Sequence, residues 1–160
     1  VDRVALRARP GVCNGSSFRI PHDRQNMVLL GLVVAQFNRD VTDEMETRAR
    51  ETAGDCDAEI VDTLYVPGAY DTPLAADRLA RRDDVDAVTV VGAIKSGDTD
   101  HDEVIGNAAA QGLTRVSLDR DKPVTLGIAG PGMSMDEARA RTGYGAHAVE
   151  SAVDMVEAMT

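Results

Sequence analysis

The sequence predicts an α/β domain: a three-layer α/β/α sandwich built on a four-stranded parallel sheet with strand order 2-1-3-4. Three observations predict it. From Met27 onward, apolar β-branched runs alternate with helical patterns, the arrangement that yields a parallel sheet covered by helices on both faces. Three of the four strand-like runs are rich enough in Val, Ile and Leu to be buried on both faces. At 160 residues the chain is about one domain long, and such a domain buries roughly 70% of its unfolded surface, enough for a core without staples. Right-handed crossovers complete the topology.

Taken in order, residues 1–26 contain Arg, Gly, Ser, Asn and Pro but no apolar stretch ahead of a small-residue cleavage site. They read as a flexible N-terminal extension rather than a secretory signal, with the domain at 27–160. The strands are MVLLGLVVAQF at 27–37, AEIVDTLYV at 58–66, VDAVTVVGAI at 85–94 and KPVTLGIAG at 122–130. Thr42 is the expected cap of a helix running to Ala53 and stopped at Gly54, and Pro73 opens a second helix to Arg82. Residues 100–118 read as a third. Ser134 with Glu137 forms a capping box for a fourth, which Gly143 and Gly145 interrupt. A last helix resumes near Tyr144 with Val149, Ala152, Val153, Val156 and Met159 on one face.

Charge narrows the partners. Lys and Arg number 17 against 27 Asp and Glu, a net charge of −10, which argues against a nucleic acid or an anionic membrane. Aromatic residues are 3% with no Trp, so base-stacking platforms are missing too. No run reaches the roughly 18 apolar residues of a bilayer span. The acids are dominated by Asp and only Lys95 and Lys122 are lysines, a composition that reads as a surface adapted to high salt. Cys13 and Cys56 are too few for a disulfide framework or a closed zinc site, and the simple expectation is a reducing cytoplasm.

In open parallel sheets ligands bind beyond the carboxyl ends of the strands, so the informative segments are those that leave them. GAIKSGDTDHDE at 92–103 joins a buried strand to a helix through Gly97. There, Asp98 and Thr99 enter a helix N-terminus whose free N–H groups and partial positive charge suit a phosphate. The plain alternative is an ordinary turn. His101 lies at the same mouth with an imidazole suited to proton transfer near neutral pH, although a lone His also serves as a cap or packing residue, the reading given to His22 and His147. Asp98, Asp100 and Asp102 alternate like the start of a calcium loop, but Glu103 and Ala109 occupy the positions that would need Gly and Glu, so no metal is expected. Phe37 ends the first strand, where its ring either stacks on a planar heterocycle or packs in the core. Pro67 and Gly68 force a tight exit from the second strand, leaving Ala69 and Tyr70 near a ligand and Asp71 as a hydroxyl acceptor or an N-cap. Arg141 offers a bidentate phosphate clamp or a surface charge. The GxSxG, Walker and GxGxxG patterns do not occur, leaving serine hydrolase, P-loop and Rossmann dinucleotide chemistry unsupported.

Together FNRD, VPGAYDTPLA, DDVDAV, GDTDHDEV, KPVTLGIAGPGM and the YG.HAVE.AV.MV pattern resemble, in this order, the lumazine synthase family in its archaeal form, from Met27 to about Met159. The resemblance implies a flavodoxin-like fold and condensation of 5-amino-6-(D-ribitylamino)uracil with 3,4-dihydroxy-2-butanone 4-phosphate in riboflavin biosynthesis, without metal or organic cofactor. It implies Phe37 against the uracil ring; Ala69, Tyr70, Asp71, Ala93, Ile94 and Lys95 around ring and ribityl chain; Asp98, Thr99 and Arg141 at the phosphate; and His101 as the proton-transfer group. It further implies homopentamers, in some members a 60-subunit shell, with sites between neighbours and Leu126 belonging to the neighbour's site. Bacterial members carry Phe at that position, an aromatic where this chain has Asp102, and a basic insert before the last helix that this chain lacks. Archaeal riboflavin synthase, a non-catalytic flavin- or lumazine-binding shell protein and a generic flavodoxin-like module are the alternative expectations.

Overall fold

Four strands run parallel in the order 2-1-3-4: β1 (Val28–Ala35), β2 (Ala58–Val66), β3 (Ala87–Lys95) and β4 (Val124–Met133). The computed structural model describes residues 27–160; the expected extension, with Cys13 and His22, lies outside the described residues. The strands alternate with α1 (Arg39–Asp55), α2 (Thr72–Ala80), α3 (His101–Arg120), α4 (Met135–Arg139) and α5 (Tyr144–Met159). Among the described residues no helix is long and apolar enough to cross a membrane.

The sheet divides two cores. On one face Val41, Met45 and Ala49 of α1 and Val149, Ala152 and Val153 of α5 pack on Leu30, Leu32, Val34 and Val91. On the other, Ala76 and Leu79 of α2 and Ala109 and Leu113 of α3 pack on Val33, Val88, Val90 and Ile94. This is the expected three-layer sandwich. Burial on both faces holds for two strands, not three: β1 and β3 are central, whereas β2 and β4 are edges with half-exposed residues along much of their length. Apolar content alone does not distinguish an edge from a centre, because an edge strand still covers a helix with one face.

Helix starts follow local chemistry. The Ser134 hydroxyl accepts from Glu137 N (3.2 Å) and the Glu137 carboxylate accepts from Ser134 N (3.2 Å), the predicted box. In α5 the predicted face is correct for Val149, Ala152 and Val153, but Met159, the last residue of the helix, is 55% exposed. The N-terminus of α5 meets α1 so closely that a Cβ on Gly145 would stand 2.3 Å from the Met45 carbonyl oxygen. Thr42 does not cap α1. The helix begins four residues earlier than that cap implies, behind Asn38 in the left-handed region (φ 63), and Thr42 lies buried within it. A single 3-10 turn, Ala69–Asp71, precedes α2 and moves its start to Thr72.

Candidate active site

The carboxyl ends of β1, β2 and β3 are laced together by hydrogen bonds that continue past the strands. Gln36 N donates to Val66 O (2.8 Å) and Phe37 N to Pro67 O (2.9 Å), joining the exits of β1 and β2. Register between β1 and β3 ends at Val34–Val91, and beyond it the Asn38 amide Nδ2 donates to Ala93 O (2.9 Å). Asn tolerates a left-handed backbone better than other non-glycine residues. It can therefore turn the chain into α1 while its side chain bridges to β3. The Phe37 ring, just before it, is 70% exposed and lies at the rim rather than in the core.

After β2 the chain folds back on itself. Asp71 N donates to Gly68 O (3.1 Å) and Gly68 N donates to the Asp71 carboxylate (3.0 Å), so that carboxylate closes the 3-10 turn and does not cap α2. Thr72 Oγ1 donates to Ala69 O (2.7 Å) and fixes the same corner. Tyr70 is left 64% exposed beside it.

Ala93 and Ile94 are buried at the end of β3 and Lys95 is exposed. Ser96 N donates to Met133 O (2.9 Å), extending the β3–β4 pairing to the start of the turn. A Cβ at Gly97 would meet nothing within 4 Å, so the turn opens onto free space. Asp100 occupies the N-cap of α3 without a side-chain cap bond, which leaves the first-turn N–H groups and the positive end of a 20-residue helix facing that space.

These segments enclose one cavity of about 510 Å³, within the range of small-molecule sites. Phe37, Ala69, Tyr70, Asp71, Ala93, Ile94, Lys95, Thr99 and His101 all line it, joined by Pro67, Gly68, Gly97, Asp102 and Ile105. Asp98 stands between two lining residues without lining the cavity itself. Leu126 and Arg141 are not brought to it within one chain. Leu126 faces outward in the middle of edge strand β4, 53% exposed, and Arg141 follows α4 with Nη1 donating to Glu137 O (2.9 Å).

Two residues that shape the site escaped the sequence reading. Asn38 carried a signal, an Asn directly after a strand, but the Thr42 cap pattern competed with it. Asp102 looked like one member of an acidic run. Its carboxylate in fact accepts from Gly132 N (3.1 Å) and Ser96 Oγ (3.3 Å) and is 9% exposed.

Chemically, one end of the cavity offers an aromatic face and main-chain donors and acceptors to a planar polar ring. The other offers helix N–H groups, a hydroxyl and an imidazole to an anion and a proton in flight. Residues 28–160 match a family model described as 6,7-dimethyl-8-ribityllumazine synthase. The chain is similar to curated proteins of that name. It is 67% identical over 131 residues to the one from Halobacterium salinarum, covering 82% of this chain and 98% of that protein. It is 66% identical over 131 residues to the one from Halorubrum lacusprofundi, with the same 82% and 98% coverage. To the one from Methanocaldococcus jannaschii it is 48% identical over 131 residues, covering 82% and 93%.

Proposed function

The chain belongs to the 6,7-dimethyl-8-ribityllumazine synthase family, and from that premise we propose that its cavity condenses 5-amino-6-(D-ribitylamino)uracil with 3,4-dihydroxy-2-butanone 4-phosphate in riboflavin biosynthesis. The observation that carries this reading is the single cavity shared by Phe37, the Ala69–Asp71 corner, the Ala93–Lys95 strand end, Thr99 and His101. An arylamine with a polyol chain fits the first three, and a phosphate ester fits the last two.

The pyrimidine lies against Phe37, its polar edges matched by the main chain of Ala69, Tyr70, Ala93 and Ile94. Asp71 and Lys95 serve the ribityl hydroxyls. Asp98 and Thr99 lie not in the helix, as the sequence suggests, but in the turn before the Asp100 N-cap; the phosphate rests on their N–H groups and the Thr99 hydroxyl, ahead of the positive end of α3. The ring amine adds to the ketone and water leaves to give an imine, then inorganic phosphate is eliminated. The ribitylamino nitrogen closes the second ring with loss of a second water. No electrons enter or leave, so the balance needs no redox cofactor. His101 carries protons between the amine, the departing water and the carbon skeleton. Holding two reactive partners together supplies much of the rate.

Phe37 and Tyr70 stand open at the rim, and the outward-facing Leu126 and Arg141 supply what the cavity lacks: an apolar wall and a guanidinium for the phosphate. The homopentamer that the family resemblance implies would let each site take Leu126 from its neighbour, and Arg141 reaches a phosphate in the same way. Sedimentation distinguishes a free pentamer from a 60-subunit shell. The acidic surface and the substrates suit the cytoplasm, and the partners are small molecules rather than nucleic acid or membrane.

Incubating the purified protein with both substrates and following lumazine fluorescence tests the reading. His101→Ala should lose about 10²–10⁴-fold in kcat. Full turnover in that variant removes the role given to His101, while ligand binding without product in the wild type identifies a non-catalytic binding protein. Riboflavin formed from lumazine alone identifies a riboflavin synthase.

A further inference from the structure

We propose that Asp102 is a positioning residue of this site, holding the phosphate-accepting turn in place through the exit of β4. The inference rests on the lumazine-forming reading. Among the described residues Asp102 is the one charged side chain that is buried. A buried carboxylate is expensive unless its oxygens are hydrogen-bonded. Here one of them, Oδ2, accepts both from Gly132 N at 3.1 Å and from Ser96 Oγ at 3.3 Å. One carboxylate in the first turn of α3 thus joins three segments: the end of β3, the start of α3 and the bent end of β4.

That corner is built to be seated. Gly130 (φ +96) comes so close to β3 that a Cβ would stand 2.2 Å from Ile94 O, and a Cβ on Gly106 of α3 would stand 2.6 Å from Pro131 Cδ. Ser96 N donates to Met133 O (2.9 Å). Of the residues that make these contacts, Ile94 and Asp102 also line the cavity, and Asp102 is the chain neighbour of His101. It fixes the depth at which the first turn of α3, with Thr99 before it, presents its N–H groups.

The carboxylate's charge and its geometry act oppositely on a phosphate, which makes the inference testable. Asp102→Asn keeps an acceptor for Gly132 N and removes the charge; Asp102→Ala removes both. Binding of inorganic phosphate to the full chain is measured by calorimetry, and the KM of each substrate by fluorescence. Positioning predicts that Asp102→Ala binds phosphate about tenfold more weakly and raises the KM of the phosphate substrate alike, with the pyrimidine KM within about twofold. Asp102→Asn should bind phosphate at least as tightly as the wild type. Phosphate binding by Asp102→Ala as tight as the wild type, an equal rise in both KM values, or no phosphate binding by the wild type each overturns it. Should Asp102→Ala fail to fold, Ser96→Ala removes one of the two donors and should weaken phosphate about threefold; no change overturns the inference. A wild type that binds phosphate but forms no lumazine refutes the reaction, while the comparison of variants still judges Asp102.

Discussion

Asn38 performs two tasks that substitution can separate. It holds a left-handed backbone (φ 63) at the start of α1, and its amide donates to Ala93 O at 2.9 Å where strand pairing between β1 and β3 has ended. Asn38→Ala loses both: a left-handed alanine costs about 1 kcal/mol, and a lost, partly buried hydrogen bond about another 1 kcal/mol. The total of about 2 kcal/mol corresponds to a fall in Tm of about 6 °C for a chain of this size. Asn38→Gly keeps the backbone freedom and loses only the bond, so its Tm should fall by about half as much. Circular dichroism melts at matched protein concentration give both numbers. In both variants the KM for the pyrimidine should rise, because Phe37 is the preceding residue. If the glycine variant is as destabilised as the alanine variant, the backbone argument is wrong. If neither moves, the bridge to Ala93 contributes nothing.

Gly145→Ala places a methyl 2.3 Å from Met45 O, forcing α1 and α5 apart; the urea midpoint should fall by the equivalent of about 3 kcal/mol, and an unchanged midpoint contradicts the packing described. Arg141→Ala should raise the KM of the phosphate substrate far more than that of the pyrimidine, and equal changes would remove its clamp role. Asp77 accepts from Arg120 (2.7 Å) and pairs with Arg81 (2.7 Å), and these contacts, that of Arg120 foremost, hold its carboxyl below its ordinary 3.8. A carboxyl lowered on folding stabilises above about pH 4 and loses that contribution as pH falls further. Asp77→Asn should therefore melt lower at pH 7 and show a flatter decline from about pH 4 to pH 2; parallel pH curves for variant and wild type refute the assignment. With a net charge of −10, Tm should rise from low to molar salt, and a flat response ends the salt-adaptation reading.

The layered fold was legible because its signals are local and repeated. Runs such as LYV before Pro67 and VVGAI before Lys95 mark strand ends, the second of them buried, and the Ser134–Glu137 spacing fixes a helix start through two reciprocal bonds. Most of the cavity was legible for the same reason, since strand order puts the residues that follow β1, β2 and β3 at one rim. What stayed hidden depends on relations between distant segments. Only the register of β1 on β3 shows that Asn38 has a carbonyl to reach. Only the docked corner at Gly132 shows that Asp102 turns inward while Asp98 and Asp100 beside it do not. The edge positions of β2 and β4 also follow from topology, which residue content does not encode. Leu126 and Arg141 lie away from the cavity of their own chain, so strand order does not bring them to the rim.

Much of the wall around the cavity is made of residues with little or no side chain: Gly68, Ala69, Ala93 and Gly97. Recognition there is written in the path of the main chain, and a path is not erased by exchanging one side chain for another. Substitution at these positions can only crowd the ligand out, never delete its partners. Random mutation should therefore find it easier to narrow the range of accepted molecules than to abolish their capture, and laboratory selection for altered substrates would do best to begin at the rim, with Phe37 and Tyr70.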